Sequence, residues 1–168
     1  MSGSLKKTGA PSLEELAASP AFPSEEQFKR GPVAVIECVE EIPCNPCESS
    51  CPRGVIRVGE PITNLPVIDL DGCVACGACV AACPGLAIYI KDYTYGPDTA
   101  SISFPYEYLP LPKAGDVVEV VDRYGGTVCK GTVLKVRSPK AYDRTAVVTV
   151  EYPKEFFYEA ISMKRLAC

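Results

Sequence analysis

The stretch Cys73-Val-Ala-Cys76-Gly-Ala-Cys79-Val-Ala-Ala-Cys83-Pro84 constrains this chain more than any other. Its spacing is C-x2-C-x2-C-x3-C-P, the ligand pattern of a cubane [4Fe–4S] cluster. Each iron of such a cluster takes one soft thiolate. Two-residue gaps let three successive thiolates curl round one cluster. The fourth, at the head of a proline turn, points away and is free to serve a different cluster. Gly77 allows the backbone to approach the cluster closely, because it has no Cβ.

A second, irregular set lies upstream: Cys38, Cys44, Cys47 and Cys51, the last followed by Pro52. Regular spacing calls for a cysteine at position 41, where Glu41 stands instead. Cys38 lies three residues earlier, so a larger loop has to bring it back to the iron. Crossed pairing then predicts one cluster on Cys38, Cys44, Cys47 and Cys83, and another on Cys73, Cys76, Cys79 and Cys51. The fallback is a single cluster on Cys73, Cys76, Cys79 and Cys51, with Cys38 a buried strand-end thiol. Zinc is a further alternative, with Cys44-x2-Cys47 and Cys73-x2-Cys76 as two knuckles. It leaves Cys51, Cys79 and Cys83 without a role, whereas two clusters employ eight thiols and both prolines.

The chain has ten cysteines and no His. The missing His excludes His-dependent acid–base catalysis, His-liganded zinc and a Rieske-type centre. No signal-peptide pattern or membrane-length apolar run is visible, so the expected setting is the reducing cytoplasm, where clustered cysteines mean metal rather than disulfides. Cys129 and Cys168 fall outside both sets and read as a buried small side chain and a bystander.

Charge divides the chain. Residues 31–95 carry eight acidic and three basic side chains, whereas residues 96–168 carry nine and ten. That shift supports two modules. Residues 1–32 read as an extension with short helices, opened by capping boxes at Ser12/Glu15 and Ser24/Gln27. It is either a partly disordered arm or a segment draped over its own body or a partner. Residues 33–95 contain two copies of one unit, strand, Cys set, short helix, strand. Residues 96–112 read as a Pro-rich linker, with Ile102, Phe104, Tyr106 and Tyr108 alternating as part of an edge strand. Residues 113–168 hold Val-rich runs at 116–122, 127–137 and 145–152, with 156–161 as one more, and read as a small antiparallel β-barrel serving assembly.

Glu37, Glu40, Glu41, Glu48 and Glu60 surround the first set, as a solvated acidic face or a docking patch. Ile42, Pro43, Val55, Ile56, Leu86 and Ile88 are placed to shield the clusters from water. The sequence contains no P-loop, dinucleotide fingerprint or nucleophile–base pair, so one-electron transfer is the expected chemistry.

On Cys44-x2-Cys47-x3-Cys51-Pro52 and the complete Cys73–Pro84 run, residues 33–92 resemble the bacterial-type two-cluster ferredoxin family. The resemblance implies an α+β fold, a pseudo-twofold pair of ββ hairpins with short helices. A narrower resemblance rests on Glu37-Cys38, Ile42-Pro43-Cys44-Asn45-Pro46-Cys47, Cys51-Pro52-Arg53-Gly54 and Ile62-Thr63-Asn64. These are similar to the small ferredoxin-like subunits of flavin-dependent amino-acid dehydrogenase complexes of the proline, hydroxyproline and opine type. It implies a hetero-oligomer, FAD or FMN in partner subunits, and possible contact with a further redox subunit. Neither nucleic acid nor a membrane is an expected partner. The rival functions are a freely diffusing ferredoxin with an appended domain, and a nucleic-acid-binding barrel with a structural cluster. Lys130, Lys135, Arg137, Lys140 and Arg144 motivate the last of these.

Overall fold

A computed structural model of the chain describes residues 4–167, so Cys168 lies outside the described residues. Three short helices open it: α1 (Ser4–Thr8), α2 (Leu13–Ala17) and α3 (Glu25–Phe28). Both expected capping boxes form. Ser12 and Ser24 each accept from the backbone three residues on, and Glu15 and Gln27 reach back to the cap N–H. Helices this short gain little from their own hydrogen bonds. Tertiary burial holds them: Leu16, Ala21 and Phe28 are buried in the body, and the Phe28 ring meets Phe157 edge-on at 5.0 Å. The extension is therefore draped over its own chain.

The repeated unit comes next. Strand β1 (Val33–Ile36), helix α4 (Pro46–Ser50) and strand β2 (Ile56–Arg57) form its first copy. Strand β3 (Val67–Ile68), helix α5 (Ala78–Ala82) and strand β4 (Ile88–Asp92) form the second. The copies interlock: β1 pairs antiparallel with β4, and β2 with β3. Both helices pack against each other on one side of β1 and β4.

Beyond β4 come β5 (Thr99–Tyr106), β6 (Val117–Val121), β7 (Thr127–Arg137), β8 (Ala146–Pro153) and β9 (Ser162–Met163). The large sheet runs β1-β4-β5-β8-β7-β6-β9. Three expectations are corrected here. The stretch 96–112 is not simply a linker: it contains β5, which lies between β4 and β8 and joins the two modules into one sheet. Its Pro105 is tolerated because the β4 ladder stops at Ser103, leaving one flank of β5 with no hydrogen bonds to lose at that point. The expected barrel is also not a barrel. The sheet is open, with β1 at one end of the order and β9 at the other. Its ends do not pair with each other, because β5 carries the sheet from β8 on into β4 and β1. The expected strand at 156–161 does not form. A 3-10 turn (Lys154–Phe156) occupies its start, and the pairing shifts to Ser162–Met163.

Strand alternation sorts the apolar residues into two cores. Val33, Val35, Tyr89, Ile102, Phe104, Val118, Val120, Val148, Val150, Tyr152, Phe157 and Met163 share one. Ala34, Ile36, Ile56, Val80, Ile88 and Ile90 share the other, together with Cys47 and Cys79. The cysteine loops thus lie on one face of β1 and β4, and the core shared with the β-rich half lies on the other.

Candidate metal centre

The cysteines are positioned by the repeat. Helices α4 and α5 are offset by 32 residues, and each ends on a Cys-Pro turn of nearly identical geometry: Cys51 has φ −76, ψ 109 and Cys83 has φ −74, ψ 112. The next turn repeats as well. Gly54 donates to the Cys51 carbonyl at 3.0 Å, and Leu86 to that of Cys83 at 3.2 Å. Both take a left-handed backbone, with φ 62 at Gly54 and φ 53 at Leu86. The backbone N–H of Ala87 points at the Cys83 sulfur, 3.4 Å away. At the corresponding place in the first copy, burial raises the Cys51 thiol, but the N–H groups of Val55, Arg53, Ile56 and Gly54 outweigh it and lower its pKa. The repeat therefore supplies oriented N–H donors to both turn cysteines.

The loops before the helices differ, and the sequence shows why. In the second copy Ala75 adopts φ 50 and Gly77 adopts φ 83. The residue 32 positions before Ala75 is Pro43, whose ring holds φ near −65° and forbids that conformation. The first loop cannot follow the same path. It leaves the repeat at this point, and Cys38 rather than residue 41 faces Cys44, Cys47 and Cys83.

Two cavities result. One is lined by Cys51, Cys73, Cys76 and Cys79, together with Ala34, Val55, Ile56, Ile68 and Ile90. The other is lined by Cys38, Cys44, Cys47 and Cys83, with Ile36, Ile42, Pro66 and Ile88. Cross-strand pairs floor them in succession: Ala34 opposite Ile90 beneath the first, Ile36 opposite Ile88 beneath the second. One two-residue step along a strand, about 7 Å, separates those floors. Of the side chains expected to shield the sites, Ile42, Val55, Ile56 and Ile88 line a cavity, whereas Pro43 and Leu86 do not.

The thiols feel each other as well as burial. Burial first, then Cys73, Cys76 and Cys51, push the Cys79 thiol up to about 12. Burial, then Cys83, push Cys47 up to about 11. Burial, Cys83 and Cys44 likewise raise Cys38. Among the described residues no three Cys, Asp or Glu converge on a single metal ion. The two C-x2-C pairs face different cavities, so they do not form one zinc site. Four soft thiols around a space larger than one ion, with N–H donors aimed at sulfur, fit a cubane iron–sulfur cluster. The described cysteines are all free of disulfides. Cys129 sits half-buried in β7 against the β-rich core, away from both cavities.

Three charged residues near the site have partners that the sequence does not signal. Glu37 is not part of an acidic face: it is paired with Arg123, both side chains being close to nine-tenths buried. Glu48 accepts from the N–H groups of Val58 and Gly59, at 3.1 and 3.2 Å. Arg137, at the end of β7, donates from Nη2 to the Cys76 carbonyl at 3.1 Å.

Residues 37–92 match the family described as the 4Fe-4S dicluster domain, and the chain therefore carries a ferredoxin-type 4Fe-4S domain. Over 50 residues it is 52% identical to a subunit of the ion-translocating oxidoreductase complex of Methanosarcina acetivorans, covering 30% of this chain and 18% of that protein. Over 48 residues it is 44% identical to the aliphatic sulfonate oxidoreductase, polyferredoxin-like subunit of Pyrococcus furiosus, covering 29% and 27%. A longer alignment, 32% identical over 123 residues, is to the translation initiation factor rli1 of Schizosaccharomyces pombe, covering 62% and 20%. The chain thus spans less than a third of each of these relatives. No solved structure matches it.

Proposed function

We propose that this chain is an iron–sulfur electron-relay subunit of a multi-subunit, flavin-dependent dehydrogenase complex in the cytoplasm. It carries two [4Fe–4S] clusters, one on Cys38, Cys44, Cys47 and Cys83, the other on Cys73, Cys76, Cys79 and Cys51. The observation that supports this best is the division of eight thiols between two adjoining cavities, four to each. When bound, such clusters supply reversible one-electron storage. The chain's own residues hold them, restrict water through Ile36, Ile56, Ile88 and Ile90, and point N–H groups at the sulfurs of Cys51 and Cys83. The named oxidoreductase subunits among the relatives support a place in a larger complex. FAD- or FMN-bearing subunits are then the electron donors, and the β-rich half from β5 onward is the assembly module. No helix among the described residues is long and apolar enough to cross a membrane.

Purification from the native host tests this reading. It predicts a hetero-oligomer containing flavin, with reduction of the clusters on adding the partner's substrate. A stable, flavin-free monomer contradicts it.

A second reading has one observation behind it. The alignment to the fission-yeast protein, named as a translation initiation factor, extends over more of the chain than the dicluster match does. On that reading the clusters are structural and Lys130, Lys135, Lys140 and Arg144 face nucleic acid. Tight binding of RNA or DNA at low salt, falling as salt rises, favours it; absence of binding removes it.

A further inference from the structure

The two cavities differ in charge, and one part of the difference comes from the β-rich half. Of the described side chains that line the Cys38 cavity, the one carboxylate is Glu40 and none is basic. Glu37, next to Cys38, is neutralised by Arg123. The other cavity has Arg53 in its lining and no carboxylate. Asp69 and Asp71 precede its Cys73, but neither lines it, and Asp71 is paired with Arg30 at 3.0 Å.

Arg137 adds a second cation there. Its Nη2 lies 3.1 Å from the carbonyl of Cys76, inside the ligand loop itself. Its position is built. The guanidinium lies 5.7 Å from the Tyr142 ring centroid, and Gly77 leaves the space that it fills: a Cβ on Gly77 would stand 2.6 Å from Nη2. A fixed positive charge beside a cluster favours addition of an electron, and net charge and hydrogen bonding are among the factors that set cluster potentials.

We infer that Arg137 is the positioning residue through which the β-rich half raises the reduction potential of the cluster on Cys51, Cys73, Cys76 and Cys79 above that of its neighbour. An electron entering the pair then rests on that cluster. This inference builds on the two-cluster reading above.

An EPR-monitored redox titration of the full chain, with iron counted in each sample, tests it. Arg137→Gln keeps a donor for the Cys76 carbonyl and removes the charge; Arg137→Lys keeps the charge. The wild-type chain is expected to show two reduction waves. In Arg137→Gln the higher wave moves to more negative potential and the lower stays. In Arg137→Lys both stay near their wild-type values. The inference is overturned if Arg137→Gln leaves the higher wave in place, if only the lower wave moves, or if both variants shift alike, which marks a loop-holding role alone. A chain holding a single cluster refutes the two-cluster reading through its iron count. In that case the Arg137→Gln shift of the single wave still supports the charge role, and its absence still overturns it.

Discussion

The Arg123 guanidinium clasps the Glu37 carboxylate across the junction of the two halves, with Nη2 2.5 Å from Oε1 and Nε 3.0 Å from Oε2. Glu37 directly follows β1 and precedes Cys38; Arg123 sits in the turn between β6 and β7. The Tyr89 hydroxyl also donates to Glu37, and Arg123 Nη1 donates to the Tyr158 carbonyl at 3.0 Å. The pair thus ties the start of the first cysteine loop to the β-rich half.

Removing one partner strands the other charge in a buried place, which typically costs about 3–5 kcal/mol. Arg123→Met is expected to lower stability by that order, read as a lower urea midpoint. Adding Glu37→Gln should recover part of the loss, because the stranded carboxylate is then gone. Equal midpoints for wild type and Arg123→Met would show that the pair contributes nothing.

Lys91 gives the fold a pH signature. Its ammonium is buried beside the Tyr89 and Phe157 rings and donates to the Phe157 carbonyl. Burial first, and the nearby Arg123 charge second, lower its pKa to about 7, while Glu37 and Glu159 pull the other way. In the unfolded chain the lysine keeps its proton to about pH 10. Between those values the unfolded state binds the extra proton, so this group makes stability rise with pH, by up to about 1.4 kcal/mol per unit. Below about pH 7 its contribution is flat. Denaturation midpoints from about pH 6 to 9 should show a rise that is missing in Lys91→Met. An identical pH dependence in the two proteins would contradict this.

Gly131 lets β6, β7 and β8 approach one another. A Cβ there would lie 2.5 Å from Val150 Cγ1, 2.7 Å from the Glu151 carbonyl oxygen and 2.8 Å from Val120 Cγ2. The carbonyl belongs to the paired strand and cannot rotate away, so the strands have to separate. Gly131→Ala is expected to destabilise the chain by about 1–3 kcal/mol, as overpacking does. Iron content should not change, since Gly131 lines neither cavity. A lower iron content at an unchanged melting temperature would refute this division of roles.

How far the sequence could be read depended on how local each feature was. Both capping boxes, the strand–helix–strand repeat and the limits of β7 depend on neighbouring residues, so pattern alone locates them. The union of the modules through β5 is non-local: β5 lies between β4 and β8, and alternation at Ile102, Phe104 and Tyr106 cannot say which strands flank it. For the same reason the Val-rich strands looked like a closed barrel, although closure depends on where the edges go. At the site, cysteine spacing carries the grouping of thiols, because the backbone between them is short. The partners of Glu37 and Cys76 lie far away in sequence, at Arg123 and Arg137. An acidic residue next to a cysteine looks solvated until the distant arginine is placed.

Cys38 departs from the regular spacing and completes the second set of thiols, so the two-cluster assignment rests on it most heavily. The direct measurement is iron and sulfide content with EPR of the reduced chain, for wild type, Cys38→Ser and Cys76→Ser. Two four-iron clusters give about eight irons in wild type. Cys38→Ser should fall towards about four and lose one signal, and Cys76→Ser should lose the other. Retention of about eight irons and an unchanged spectrum in Cys38→Ser would contradict the assignment of Cys38, Cys44, Cys47 and Cys83 to one cluster.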